Sequence, residues 1–330
     1  MCRTRRLFLI ALFLIAALVA ETTDVRAQTG YGVTANGALF RFDVNSPGTI
    51  TTIGNMGIVT DAIDFRPGTG TLYGIDVGPT TSQLYTINPT TAAVTPVGTG
   101  FPTVVTGTGA YNLADQTIGF DFNPRTLQAD GSIRIRLVAS RGANLRLNSN
   151  TGLVAAVDTP LAYVTPIAPG VDSVAYTNSG ASTIGGLTTL FGVDANTDNL
   201  VRQGGVDGTP SPNGGLLTSI GALGATVNSI PNVGFDILST GTDDSNADEL
   251  AFAVFARPDA PIGVPGKFLL YDVNLATGQT LNGRLVGAGV DFTGGFAVIP
   301  EPSSLILTAC ALVGVMFCRI RVRSRARGRC

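Results

Sequence analysis

The sequence contains neither histidine nor tryptophan among its 330 residues. Without histidine, the chain cannot build a Ser-His-Asp or Cys-His catalytic unit or a histidine-ligated metal site. Glutamate is almost as rare, because Glu249 is the one glutamate between residues 28 and 299. This excludes a glycosidase that works with two glutamates, whereas a pair of aspartates remains open.

Common catalytic motifs are missing as well. The sequence has no G-x-S-x-G nucleophile elbow, no phosphate-binding P-loop and no dinucleotide fingerprint between a strand and a helix. The many glycines fit the turns of a repeat protein. We therefore predict that the protein is not an enzyme.

Cysteine is confined to the two ends of the chain. The central part holds none, so it can form no disulfide and has to rely on its apolar core. Its 272 residues are enough for one all-β domain with a large core. The four cysteines are Cys2, Cys310, Cys318 and Cys330.

The C-terminal segment, residues 300–330, combines three features in order. Pro300-Glu301-Pro302 is followed by an uncharged apolar run from Leu305 to Cys318, and then by a basic cluster. Arginines resist translocation, so this end is expected in the cytoplasm and the rest of the chain outside. The apolar run is shorter than the ~20 residues of a spanning helix. The basic cluster contains Arg319, Arg321, Arg323, Arg325, Arg327 and Arg329.

This combination resembles the PEP-CTERM sorting signal of Gram-negative bacteria that make exopolysaccharide. The resemblance implies processing by an exosortase, a membrane protease, at or near Pro300-Glu301-Pro302, followed by release to the cell surface or the medium. The alternative is an ordinary C-terminal membrane anchor.

The N-terminal segment, residues 1–27, also predicts export. Three arginines (Arg3, Arg5 and Arg6) precede an apolar stretch from Leu7 to Ala20, and Val25-Arg26-Ala27 has the small residues of a cleavage site. We predict a signal peptide that is read by the Sec machinery and cleaved after Ala27. Cleavage after Ala20 and a permanent N-terminal anchor are the alternatives.

The part between these segments, residues 28–299, is acidic. It holds eleven basic and twenty acidic side chains, a formal charge near −9, whereas the whole chain has −2. An acidic domain is a poor partner for nucleic acid, so no nucleic-acid binding is expected.

Residues 28–299 are organised as repeats of four short β-strands. In the clearest repeat, segments rich in β-branched and aromatic residues are separated by turn-forming residues, which predicts an antiparallel meander. The unit recurs about five times without helical periodicity. Its four segments are Ala62 to Pro67, Thr71 to Asp76, Leu84 to Pro89 and Val94 to Gly98.

Such repeats predict a β-propeller of about five four-stranded blades, with an open solenoid or a two-sheet sandwich as alternatives. The first repeat lacks its opening strand, and the strand around Asp291 is expected to complete it and close the ring. Gly295 to Val298 resembles a further second strand, which leaves a partial sixth blade open. The repeat also resembles a bacterial domain-of-unknown-function family, through Tyr31-Gly32-Val33 and Ile63 to Pro67, and no activity carries over from it.

Three groups of carboxylates are candidate cation sites. The first group shares one first-strand position, which is an alanine, Ala175, in the remaining repeat. These aspartates could ring the propeller axis and hold a cation, but we favour hydrogen bonds to backbone amides at the blade corners. The second, Asp194 to Asp198, has Ca²⁺-loop spacing but lacks the glycine and glutamate, which favours a hairpin turn. The third is a dense acidic loop, either solvated or Ca²⁺-binding. The first group is Asp64, Asp121, Asp236 and Asp291, and the third is Asp243, Asp244, Asp248 and Glu249.

Together these features predict an exported, non-catalytic surface or matrix protein that binds exopolysaccharide or an envelope protein. No cofactor is required, with Ca²⁺ as the one ion left open. Sugar stacking would have to use tyrosines, several of which are expected in the core: Tyr31, Tyr73, Tyr85, Tyr111, Tyr163, Tyr176 and Tyr271. The alternative is a Ca²⁺-dependent hydrolase or lyase that uses aspartates.

Overall fold

The computed structural model describes residues 28–180, 186–227, 233–240, 249–256, 268–287 and 290–300. The predicted signal helix, the hydrophobic C-terminal segment and the arginine cluster lie outside these ranges and remain predictions. Within the described ranges, no helix is long and apolar enough to cross a membrane.

The described residues fold into five antiparallel sheets, the blades, each with four strands in meander order. Blade 1 contains, from the inside outwards, β23 (Phe292–Pro300), β1 (Gln28–Thr34), β2 (Ala38–Asp43) and β3 (Ile50–Asn55). Blade 2 contains β4 (Ala62–Arg66), β5 (Thr71–Val77), β6 (Thr81–Ile87) and β7 (Val94–Pro102). Blade 3 contains β10 (Ile118–Phe122), β11 (Arg134–Ala139), β12 (Asn144–Asn148) and β13 (Val154–Val157).

Blades 4 and 5 follow the same plan. Blade 4 contains β15 (Val171–Tyr176), β16 (Leu190–Asp194), β17 (Asn199–Gln203) and β18 (Leu216–Ala222), and β14 (Ala162–Tyr163) adds a parallel strand at its outer edge. Blade 5 contains β19 (Gly234–Ser239), β20 (Glu249–Ala256), β21 (Phe268–Val273) and β22 (Thr280–Leu285). A small hairpin, β8 (Val104–Val105) with β9 (Tyr111–Asn112), and two 3-10 turns, Val206–Gly208 and Pro212–Gly214, complete the elements.

The hairpin between the third and fourth strands is built in the same way in several blades. In blade 2, the side chain of Asn88 accepts hydrogen bonds from the backbone N–H groups of Thr90 and Thr91. Asn148 and Asn274 make the equivalent bonds in blades 3 and 5. Asparagine favours such turns because its amide oxygen replaces a backbone acceptor, so the repeated asparagine is a local cause of the meander.

The first strands of the five blades form a closed ring. In cyclic order β23, β4, β10, β15 and β19 each contact the next, and β19 contacts β23. The ring closes within blade 1, where β23 pairs antiparallel with β1, with Gly30 opposite Val298. The predicted propeller and the predicted closure by the C-terminal strand are confirmed.

Two details of the predicted closure are wrong. Gly295 to Val298 does not open a sixth blade, because it lies within β23, the inner strand of blade 1. Asp291 precedes β23, and its carbonyl accepts a hydrogen bond from the N–H of Ala35. The inner strand therefore begins later in the sequence than the motif around Asp291 predicts.

The core consists of five apolar clusters, one between each pair of adjacent blades. Neighbouring residues of one strand enter different clusters, since side chains alternate between the two faces of a sheet. On β2, Leu39 packs between blades 1 and 2, whereas Phe40 packs between blades 1 and 5. The outer strands, by contrast, are largely exposed.

Phe292 tests the closure of the ring. Its side chain is fully buried and its ring lies 6.4 Å from that of Phe40 and 5.5 Å from that of Phe268, between blades 1 and 5. Phe292→Ala should lower the free energy of unfolding by about 3–5 kcal/mol, as expected for a large aromatic removed from a packed core. Chemical denaturation measures the loss. Val164→Ala is the control, since Val164 is 88% exposed, and equal stability of the two variants would contradict closure by β23.

Candidate functional site

An aspartate on the inner strand links each of three blades to the next blade in the ring. The carboxylate of Asp64, in blade 2, accepts a hydrogen bond from a backbone N–H of blade 3. In the same way, a backbone N–H of blade 4 donates to the aspartate of blade 3, and a backbone N–H of blade 1 donates to the aspartate of blade 5. The three bonds are Phe122 N–H to Asp64 (2.8 Å), Tyr176 N–H to Asp121 (3.2 Å) and Val298 N–H to Asp236 (2.6 Å).

These bonds identify the equivalent position in every blade. In each bond, the residue whose N–H donates comes directly after the residue of its own strand that is equivalent to the accepting aspartate. The five equivalent residues are therefore Asp64, Asp121, Ala175, Asp236 and Ala297. Ala297, rather than the predicted Asp291, represents blade 1, and Asp291 is exposed.

The three aspartates meet at the axis of the propeller. Carboxylate oxygens of Asp64, Asp121 and Asp236 all lie within 4.8 Å of one another, and the residues are only 7%, 4% and 6% exposed. Each carboxylate accepts at least one backbone N–H, which confirms the predicted amide bonding. The predicted location at blade corners is wrong, because the three carboxylates lie together at the axis. Asp64 and Asp236 each accept a second, from Phe65 and Ile237 respectively.

Burial makes ionisation of this cluster costly. It raises the pKa of Asp64 and Asp121 well above 3.8, and the negative charges of the neighbouring aspartates add to the effect. Burial also raises the pKa of Asp236 to about 7, against the opposing effect of its two amide bonds. Among the described residues, no arginine forms an ion pair with any of the three.

A cavity of about 240 Å³, here called the axial pocket, opens beside two of these carboxylates. It lies where the inner strands β4, β19 and β23 end. Its lining includes Asp64, Arg66, Ser179, Asp236, Ser239 and Ile299.

A larger cavity of about 790 Å³, the wide cleft, lies where β4, β10 and β15 begin, at the opposite end of the ring. Two carboxyls face it, of which Asp172 is buried and Asp61 partly buried. Asp61 accepts the N–H of Val77 (2.7 Å), and Asp172 accepts the hydroxyl of Thr117. Burial raises the pKa of both aspartates to about 6, with small additions from the charges of neighbouring aspartates.

Other polar groups stand around the rim of the wide cleft. Asn196 donates to the carbonyl of Pro169 (3.1 Å), and Gln116 accepts the N–H of Arg141 (2.7 Å). The guanidinium of Arg141 is exposed and makes no hydrogen bond to the described residues. It is therefore available to a ligand.

The sequence did not single out Asp61 or Asp172. Both lie three residues before the axial position of their blades, but the other blades have Ile118, Val233 and Gly294 there, so the repeats do not mark this position. The wide cleft also needs loops from three blades, and no single repeat contains it.

The remaining predicted sites have varied outcomes. Asp194 accepts the N–H groups of Asn196 and Thr197, which confirms a hairpin turn between β16 and β17. Glu249 accepts the N–H of Asn178 and the hydroxyl of Ser239. Asp243, Asp244 and Asp248 lie outside the described residues. Tyr31, Tyr73 and Tyr176 are buried, as expected for core residues.

Comparison with known families adds one assignment. A family described as "Domain of unknown function (DUF4394)" matches residues 38–294. The chain belongs to this family. The match includes blades 2 to 5 and part of blade 1, since it leaves out β1 and most of β23. No curated protein matches the sequence.

Solved structures similar to the DUF4394 domain are distant. A protein of unknown function from Bacteroides caccae is 9% identical, with a TM-score of 0.38, over 84% of this chain and 100% of the other. A putative exo-beta-1,3-galactanase from Bifidobacterium bifidum s17 is 12% identical, with a TM-score of 0.45, over 78% and 88%. A nidogen/laminin complex chain is 11% identical, with a TM-score of 0.41, over 82% and 98%.

The axial carboxylates predict an unusual dependence of stability on pH. Their folded-state pKa values lie above the ordinary 3.8, so between pH ~4 and ~7 the native state holds more protons than the unfolded state. In chelator-treated protein, the free energy of unfolding should therefore fall as pH rises through this window. Asp121→Asn should flatten the decline, because it removes one charge and retains an acceptor for the N–H of Tyr176.

Denaturation with urea across this pH range measures the effect. Asp43→Asn makes the same chemical change at an exposed position and serves as the control. If Asp121→Asn and the control give the same pH profile as the unaltered protein, the axial carboxyls are not the source of the decline.

Proposed function

We propose that this protein is a non-catalytic binding protein and that its wide cleft holds a segment of neutral, hydroxyl-rich polysaccharide. The supporting observation is the cleft itself, a cavity of about 790 Å³ at one end of the propeller, in which carboxylates, amides and a guanidinium stand among apolar residues. This volume lies within the ~300–1,000 Å³ typical of ligand sites, whereas the axial pocket is smaller.

The polar groups of the lining can bind the hydroxyl groups of a sugar. Carboxylates, amides and a guanidinium offer acceptors and donors to the hydroxyls of a sugar ring, and an ionised carboxylate can accept from two hydroxyls at once. No described lining residue is aromatic, so affinity has to come from hydrogen bonds rather than stacking. The groups concerned are Asp61, Asp115, Gln116, Arg141, Asp172 and Asn196.

The charge of the cleft favours a neutral polymer. Its lining, as far as the structure describes it, has three aspartates and one arginine, which gives a negative net charge at neutral pH. A polymer rich in carboxylates or sulfates would be repelled by this field. Arg141 supplies the one cationic donor of the described lining, and no hydrogen bond to another described residue competes with a sugar oxygen for its guanidinium.

Arg141→Ala should weaken binding of neutral oligosaccharides about tenfold or more, the effect of losing a charged hydrogen bond of ~1.5–3 kcal/mol. Isothermal titration calorimetry with neutral and uronic-acid-containing oligosaccharides measures the affinity. Arg41→Ala is the matched control, because Arg41 is an exposed arginine of β2 away from the cleft. Preference for the acidic oligosaccharides, or equal binding by both variants, would contradict this proposal.

A hydrolase is the second candidate, because Asp61 and Asp172 face one cleft with pKa values raised to about 6. Such carboxyls can exchange protons near neutral pH. The same titrations therefore include an assay for new reducing ends. Turnover that Asp61→Asn or Asp172→Asn abolishes would replace the binding function with catalysis, and intact oligosaccharide would support binding.

We further propose export through the Sec machinery and processing of the C-terminal tail by an exosortase, which places the domain on the cell surface or in the matrix. The position of the predicted motif supports this proposal. The closing strand β23 ends at Pro300, opposite Gln28. Cleavage after Pro300 would therefore leave every strand of the propeller in place.

Glu301→Ala should prevent this cleavage, because it alters the central residue of the predicted motif. Mass spectrometry of protein from cells and medium should find unaltered chains ending near Pro300–Pro302 and the variant retaining its tail. Ser303→Ala, two residues later, is the control. Released, unaltered protein that still ends at Cys330 would refute processing.

A further inference from the structure

The three axial carboxylates leave a space of defined size between them. Points within 4.8 Å of one another lie no more than 4.8/√3, about 2.8 Å, from a common centre, close to the ~2.3–2.6 Å of a Ca²⁺–oxygen bond. A contraction of a few tenths of an ångström would bring one oxygen from each aspartate into coordination distance.

Asp121 has an oxygen with no donor. The four carboxylate oxygens of Asp64 and Asp236 each accept a backbone N–H. On Asp121, Oδ1 accepts the N–H of Tyr176, whereas Oδ2 has no hydrogen-bond donor among the described residues, although the residue is 4% exposed. Of the six axial carboxylate oxygens, Oδ2 of Asp121 is thus the one that no N–H of the described residues reaches.

The charge of the cluster also lacks a partner. Up to three negative charges lie at the axis, and no arginine of the described residues pairs with them. Buried carboxylates must either take up protons or bind a cation, because isolated ionised groups are too costly to bury. The axial pocket reaches Asp64 and Asp236 and gives a route for an ion and its waters.

We propose that Asp64, Asp121 and Asp236 together bind one calcium ion on the propeller axis. The ligands are all hard oxygens from residues that the amide bonds hold in place, which is the chemistry that Ca²⁺ accepts and Zn²⁺ or Cu⁺ does not prefer. Mg²⁺ requires bonds near ~2.1 Å and would need a larger contraction of three strands. Water in the axial pocket completes the coordination shell. The proposal is independent of any ligand in the wide cleft.

Metal analysis and thermal unfolding of the full chain test this site. After chelation and dialysis into Ca²⁺ at neutral pH, elemental analysis should find one Ca²⁺ per chain. Ca²⁺ at a hundred times its Kd should raise Tm by about 5–10 °C, and Mg²⁺ at the same concentration by much less.

The variant Asp121→Asn distinguishes a cluster that binds Ca²⁺ from a cluster of buried, protonated carboxyls. The variant should fold, since its amide oxygen still accepts from Tyr176, and should lose the Ca²⁺-dependent rise in Tm. Without Ca²⁺ it should match or exceed the unaltered protein in Tm, because one buried charge is gone. Asp43→Asn should keep the full response to Ca²⁺.

Two outcomes would overturn the proposal. The first is an unaltered protein with no bound Ca²⁺ and no shift in Tm, which would mean that protons neutralise the cluster. The second is a Ca²⁺ response that Asp121→Asn retains and Asp244→Asn with Asp248→Asn abolishes, which would place the ion in the acidic loop 243–249.

Discussion

Every blade of this protein has apolar side chains on both faces, and the rest of the structure depends on covering both. In an open stack of sheets, the first and last would each leave one apolar face in water, at a cost of about 25 cal/mol per Å². A closed ring gives every blade two neighbours, and each of the five interfaces contains its own apolar cluster. The pairing of β23 with β1 is therefore a condition for the core, because without it the apolar faces of blades 1 and 5 would lose their contacts.

Ring closure also determines what happens at the axis. One residue of each inner strand points to the same region, so a residue type repeated along the sequence becomes a cluster in space. Aspartates fill three of these positions and alanines, Ala175 and Ala297, fill the other two. Because Ala175 and Ala297 carry no charge, only three carboxylates share the small buried volume at the axis. The amide bonds between blades then serve two purposes, since they satisfy carboxylate oxygens and fix neighbouring inner strands to each other at three of the five interfaces.

Local sequence patterns predicted the strands well, because alternation and turn residues are properties of a few adjacent residues. Asn88, Asn148 and Asn274 mark equivalent hairpins in this way. The register of the last strand, β23, was harder to predict from the sequence. The motif around Asp291 resembles an inner strand, yet the pairing of β23 with β1 shifts register between Gly32 and Thr34, and Ala297 takes the axial position. Asp61 and Asp172 were missed for a related reason, since their cleft forms only where loops of three blades meet.

The two ends of the ring offer different chemistry because their polar groups are held differently. Asp64 and Asp236 accept backbone N–H groups from their own strand and from the next blade, so moving either carboxylate would break contacts in two sheets. Such fixed oxygens suit a ligand with strict geometry, such as an ion. Around the wide cleft, Arg141 and Asp115 are exposed, and Asn196 is held by a single carbonyl of a neighbouring loop. Groups that can adjust in this way suit the proposed polymer, whose hydroxyl positions vary, whereas the proposed ion needs the fixed oxygens at the other end of the ring.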